Sequence, residues 1–418
     1  MAKLRETRNC GSPRWLYPAF TVIVLAFACI WLISHPGISA DDITGAATRP
    51  ASAGGPLERV RIIPSSAAAA AEGKAALAAD LQHELGDGSF TVEVPTAAKA
   101  DLKKYGTVRS VPQLRIPQPA ASAFGGKPGR ERVCVPTAQK PWGVAKVNGG
   151  AGGDGINIAI LDTGAAKHPD LRIAVCMDTT RRKIAGGCSD QNGHGTHVAG
   201  IIGADGGKDG KGIYGVAPDA KIWAIKVCKA DGTCYADDIA EGIYYAVNRG
   251  ANIISMSFGG NADVDIIRNA IAYGAQRGVL FVAAAGNDGP AEGSVDWPAA
   301  YASVMAVGAT DASDAVAGWS SRGTNYHTTP WVVEEGDIEL AAPGVAIEST
   351  WNDGCYHILS GTSMAAPHVA GLAAKLWQGS AAATRDYLQY IARHYYADIG
   401  REGDDPDVGF GLPIAPSA

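Results

Sequence analysis

The chain has 418 residues, 46% of them hydrophobic and 19% charged, enough apolar surface for a large core and too much for a disordered chain or a lone peptide motif. Thirty-six Lys and Arg against 42 Asp and Glu give a net charge of −6, which argues against a nucleic-acid partner. Fifty-three glycines against seven phenylalanines point to tight turns and close backbone approaches, as in a layered α/β protein rather than a helical bundle.

In chain order, Lys3, Arg5, Arg8 and Arg14 precede an apolar run from Trp15 to Ile33. Residues 1–40 therefore read as a signal peptide or a retained membrane anchor, with the positive end cytosolic and the rest of the chain exported. The run is close to the ~20 residues that span a bilayer, and Ile38-Ser39-Ala40 offers a small residue for cleavage, so both readings stay open. Six cysteines lie beyond this segment, and their 15 connectivities fit an oxidising compartment. Short spacing favours Cys228 with Cys234 and Cys176 with Cys188, leaving Cys134 with Cys355. No CxxC pair supports a metal instead.

Residues 41–56 read as a flexible tail and 57–116 as a small α+β unit. A strand is expected over 58–63, a helix from the Ser66 cap to Gly86, a strand over 90–94, a short helix capped by Thr96 and a further strand from Val108. Residues 117–137 form a Pro- and Gly-rich connection open to proteolysis. From 138 onward strands and helices alternate, which predicts a doubly wound, mostly parallel sheet with helices on both faces. Strands are expected at 156–161, 221–227, 251–258, 279–285 and 303–307, and helices at 237–249 and 264–277. In such folds chemistry collects beyond the carboxyl ends of the strands.

Three polar clusters fall there. Asp162-Thr163-Gly164 ends the first buried strand, Asn192-Gly193-His194-Gly195-Thr196-His197 opens an apolar helix, and Ser360-Gly361-Thr362-Ser363-Met364-Ala365 places Ser363 in the first turn of another. A helix start favours a developing oxyanion through its free amides and dipole. His194 and His197 lack the Glu of a zinc-protease helix, so a metal reading is weak. Gly361-Thr362-Ser363-Met364-Ala365 has alanine where the α/β-hydrolase elbow needs its second glycine.

Together the motifs resemble the three signatures of the subtilisin-like serine proteases, the subtilases, in order Asp, His, Ser. The resemblance runs from about Gln139 to Leu412, and the preceding unit is similar to the family's ferredoxin-like inhibitory propeptide. It implies a serine endopeptidase made as a zymogen: Ser363 as nucleophile, His194 as base, Asp162 orienting the imidazole, and Asn287 in the oxyanion hole. Substrate would add as a strand between Ser257-Phe258-Gly259 and Thr233-Cys234, Phe258 replacing a more usual leucine. Asp296 matches the base of the P1 pocket and Asp288 its rim, so a basic P1 residue is one reading and an outward-facing Asp296 the other. Asp170 and Gln139 match positions that hold a structural calcium ion. An inactive scaffold would have lost one of Asp162, His194, Asn287 or Ser363, and a serine esterase would not need two strand-like walls.

Overall fold

The computed structural model describes residues 55–117, 134–182, 184–324, 332–394, 399 and 404–417. The signal or anchor segment, most of the 41–56 tail and most of the 117–137 connection lie outside these. Among the described residues no helix is long and apolar enough to cross a membrane.

The first unit is a four-stranded antiparallel sheet of β1 (Leu57–Pro64), β2 (Leu81–Glu84), β3 (Phe90–Pro95) and β4 (Gly106–Ser110), in the order β2-β3-β1-β4. With the helix Ala67–Ala76 between β1 and β2, and the 3-10 helix Thr96–Lys104 between β3 and β4, this is the ferredoxin-like arrangement. Strand periodicity divides β1: Val60 and Ile62 enter a core with Phe90, Val92, Val94, Leu102 and Tyr105, while Arg59 and Arg61 face the other way.

Two expectations are corrected in this unit. The helix stops at Ala76 rather than Gly86, because Leu81–Glu84 is taken into the sheet beside β3. Ser66 does cap it, accepting from the Ala69 amide at 3.1 Å. Thr96 is no cap; its hydroxyl donates to the Pro56 carbonyl at 3.0 Å, tying the 3-10 helix to the base of β1.

The larger region is built on an eight-stranded sheet: β6 (Asn157–Asp162), β7 (Ile173–Asp178), β8 (Ala185–Gly186), β9 (Lys221–Lys226), β11 (Ile253–Met256), β12 (Leu280–Ala284), β13 (Val304–Thr310) and β14 (Leu340–Pro343). Its order is β14-β13-β12-β11-β6-β9-β7-β8, parallel except for the β7–β8 pair. Strands 6 and 11 to 14 are buried along nearly their whole length, because helices cover both faces. Helices 194–203 and 362–375 share one core with Ile158, Val282 and Val307. Helices 236–248 and 265–275 share the other with Ile225, Ile254 and Phe281. The strands 173–178, 340–343, 347–350 and 356–359 and the helix 381–394 were not expected from the sequence.

All three cysteine pairings form: Cys134–Cys355, Cys176–Cys188 and Cys228–Cys234.

Candidate active site

Asp162 is the last residue of β6, in the middle of the sheet, and His194 is the first residue of the helix that follows Gly193. Gly193 adopts a left-handed φ of 107°, and a Cβ there would lie 2.4 Å from the Trp351 ring, so glycine is required for the chain to enter the helix at this angle. His194 Nδ1 lies 2.9 and 3.0 Å from the two carboxylate oxygens of Asp162. Both residues are buried, and His194 Nε2 has no hydrogen-bond partner among the described residues. With Nδ1 donating to Asp162, Nε2 keeps its lone pair and is left as the acceptor.

Ser363 lies in the first turn of helix 362–375, which packs against helix 194–203. Its hydroxyl donates to the Ser257 carbonyl at 3.2 Å, and the Ser257 hydroxyl donates to the Ser363 carbonyl at 3.1 Å. Asn287, just past β12, accepts at Oδ1 from both the amide and the hydroxyl of Thr362, each at 3.0 Å. Those two donors fix which way the amide is turned. The Nδ2 group is left as a donor beside Gly361, where an added Cβ would approach it to 3.4 Å.

The cleft is occupied by the chain's own segment. Strand β5 (Gln113–Arg115) pairs antiparallel with β10 (Thr233–Tyr235), and Arg115 exchanges two 3.0 Å backbone hydrogen bonds with Gly259. The Ile116 amide donates to the Gly232 carbonyl at 2.9 Å. The two edges read from the sequence, 233–234 and 257–259, thus come together with a strand between them. Phe258 is fully buried in the apolar cluster that also holds Leu114, Ile116, Cys228 and Cys234.

Asp296 is 7% exposed. Its carboxylate lies directly behind Gly259 and Gly286, where an added Cβ would come within 2.7 and 2.8 Å of Oδ2. Asp288 is exposed on the same turn as Asn287. Burial without a compensating cation among the described residues, together with the negative Asp288, pushes the Asp296 carboxyl up to about 7.

Asp170 Oδ2 accepts from the Ile213 amide at 2.9 Å and the Tyr356 hydroxyl at 2.6 Å, while Oδ1 faces Gly207 and Gly212. Gln139 reaches the same loop, donating from Nε2 to the Gly210 carbonyl. The remaining donors, Asp170 Oδ1, the Gln139 carbonyl oxygen and loop carbonyls, are all hard oxygens of the kind calcium takes. His197 donates from Nε2 to the Ile347 and His357 carbonyls, and burial drives its pKa down to about 3, so it stays neutral beside His194.

Sequence reading missed Asp190. This buried carboxylate accepts from the Thr163 hydroxyl, the amides of Asn192, Gly193 and Thr196, and the Thr196 hydroxyl, at 2.6 to 3.0 Å. It joins the turn after Asp162 to the helix start that carries His194. Its position four residues before His194 was the available signal, but an Asp there reads equally as an ordinary helix cap.

The comparisons agree with this architecture. The subtilase family model matches residues 153–411, more than half of the chain. A subtilisin of Bacillus sp. (strain TA39) is 41% identical over 360 residues, covering 78% of this chain and 84% of that protein. Among solved structures, sphericase aligns with a TM-score of 0.64 at 43% identity, and the S41 psychrophilic protease with 0.63 at 42%. Each covers 67% of this chain and 99% of its own. The chain belongs to the subtilase family. It is a subtilisin-like serine endopeptidase.

Proposed function

We propose that the enzyme is exported as a zymogen and cleaves protein or peptide substrates through an acyl-enzyme formed on Ser363. The observation that carries this reading is the antiparallel strand 113–115 held between Thr233–Tyr235 and Gly259, on the edge that leads through Ser257 to Ser363. A substrate strand in that place brings its carbonyl to the start of helix 362–375. The Ser363 hydroxyl swings from the Ser257 carbonyl toward His194 Nε2, which takes its proton as Oγ attacks. The resulting imidazolium is stabilised by Asp162, and the tetrahedral oxyanion by Asn287 Nδ2 and the Ser363 amide. His194 then protonates the leaving amine, and water repeats the sequence to release the acid.

The unit 57–116 acts as a propeptide, inhibiting the cleft through its terminal strand until the 117–137 connection is cut. Cys134–Cys355 then fastens the new end of the mature chain. The enzyme acts outside the cytosol, released or tethered by its N-terminal segment. Asp170 and Gln139 would hold a structural calcium ion whose charge the Asp170 carboxylate would offset in part; calcium would take no part in the chemistry.

Substrate selection falls to Asp296. Its carboxylate lies behind the wall formed by Gly259 without a cation among the described residues, so an incoming Lys or Arg at P1 supplies the missing partner and releases the proton that burial holds on Asp296. The preference for Arg over Phe at P1 should therefore grow as pH rises through about 7. Asp296→Asn should flatten that trend, and a wild-type preference for Phe at every pH would remove Asp296 from substrate selection.

The whole reading is tested by labelling with an active-site serine probe alongside casein and ester hydrolysis. Label on Ser363 with peptide-bond cleavage is expected. Ester turnover without peptide cleavage would overturn an endopeptidase, and absence of label would indicate an inactive scaffold.

A further inference from the structure

Helix 236–248 begins with two consecutive aspartates, Asp237 and Asp238, and both are fully buried. The first unit covers them. Arg59 Nη1 lies 3.2 Å from Asp237 Oδ1 and 2.6 Å from Asp238 Oδ1. His83 Nε2 lies 2.8 Å from Asp238 Oδ1, and the Thr91 hydroxyl donates to Asp237 Oδ2 at 2.7 Å. The Arg59 guanidinium also stacks over Tyr235, 4.2 Å from the ring centroid, and Tyr235 ends the edge strand that pairs with 113–115. His83, Asp237 and Asp238 have metal-ligand spacing, but Arg59 already stands between the carboxylates as their cation.

The charges of this cluster decide how it works. Two buried carboxylates need two positive charges, and Arg59 supplies one. The second is available only if His83 carries a proton on both ring nitrogens. A cluster left at −1 in a desolvated interface is costly, and the half-buried Glu241 on the next turn adds to that cost. Elsewhere around the cluster, Lys229 faces the Tyr235 ring, and Arg61 is bound to Asp87 and Asp265. Neither supplies the missing charge to Asp238, whose Oδ2 is buried without a hydrogen-bond partner among the described residues.

We propose that Asp237, Asp238 and Tyr235 form a cation-recognition surface on the catalytic region, filled by Arg59 and His83 of the first unit, and that filling it takes up one proton. The interface is then a latch that loosens as the solution becomes alkaline. Burial opposes the charge on His83, but its hydrogen bond to Asp238 and the nearby carboxylates outweigh burial and raise its pKa; burial raises that of Asp238 as well. Both shifts have the same sign for docking. The stabilisation is fully present below the free imidazole value of about 6.5 and is lost as pH rises from there through the raised value of the docked state. Once the unit has left, the aspartates regain solvent at the end of a substrate-binding edge, where they would attract a basic side chain of a bound protein.

The test uses the uncut chain carrying Ser363→Ala, so it needs no peptidase activity and stands apart from the function proposed above. Amide hydrogen exchange is followed in β1 and at the start of helix 236–248 from pH 6 to 9, corrected for the intrinsic rate. Protection should fall by up to tenfold per pH unit above about 6.5, the slope for one linked proton. His83→Gln should remove that slope, and Arg59→Lys should keep it while lowering protection throughout. If His83→Gln does not fold, Asp238→Asn is the second variant and should also lose the slope. A protection that is flat or rises with pH in the Ser363→Ala chain, or a slope that survives once His83 or Asp238 is also replaced in a folded variant, would overturn the latch.

Discussion

The two regions of this molecule are held in place by different forces. The catalytic region buries two apolar layers, one on each side of a parallel sheet, and strands 6 and 11 to 14 of that sheet are buried nearly end to end. The first unit has a single small core on one face of its sheet, and its other face presents Arg59, Arg61, His83 and Thr91 to the catalytic region. The large region rests on burial, which is insensitive to pH; the small one adds to a few apolar contacts, Leu85, Val111, Leu114 and Ile116, a set of buried charges, which are not.

The largest effect expected is that of Ser363→Ala. It should lower peptide hydrolysis by roughly 10⁴-fold or more and leave the two regions joined, as seen by the size of the chain on a denaturing gel. Normal cutting in a protease-free host would show that separation of the regions does not depend on Ser363.

Loss of apolar volume should separate the two regions cleanly. Phe281→Ala, in the core beneath helices 236–248 and 265–275, should cost about 3–5 kcal/mol in chemical unfolding, by a similar amount at pH 6 and pH 9. Arg59→Ala leaves two buried carboxylates without their arginine and should weaken docking by about 3 kcal/mol or more, with little effect on unfolding of the catalytic region. Equal effects of both variants on that region would end the distinction drawn here.

Asn287→Ala should reduce kcat by roughly 10²–10³-fold with KM nearly unchanged, in single-peptide kinetics. A change confined to KM would place Asn287 in binding rather than in oxyanion stabilisation. The smallest effect is at Asp296, where the folded carboxyl titrates near 7 and the unfolded one near 3.9. A raised acid stabilises the fold only while protonated, so wild type loses stability as pH rises from about 4 to 7. Asp296→Asn should therefore melt a few degrees higher than wild type at pH 8 and show no such advantage at pH 4.

Much of the catalytic region was legible because its signals are local. Val279 to Ala285 reads as a buried strand from composition, and Asp162, His194 and Ser363 each sit where a strand ends or a helix begins. Cysteine spacing was enough to favour the pairings that form. Edges were harder: Leu81–Glu84 carries no alternation strong enough to outweigh the alanine-rich helix before it, and it becomes a strand because β3 offers an unpaired edge.

What the sequence determined by itself was which residue types stand at the ends of which elements, since period, caps and glycines act over a few residues. Only the tertiary structure decided which of them meet. Arg59 and Asp238 are 179 positions apart, and Thr163 and Asp190 are 27 apart. No local pattern marks either pair, because the worth of a charge depends on whether its surroundings exclude water, and that is fixed only when the elements pack.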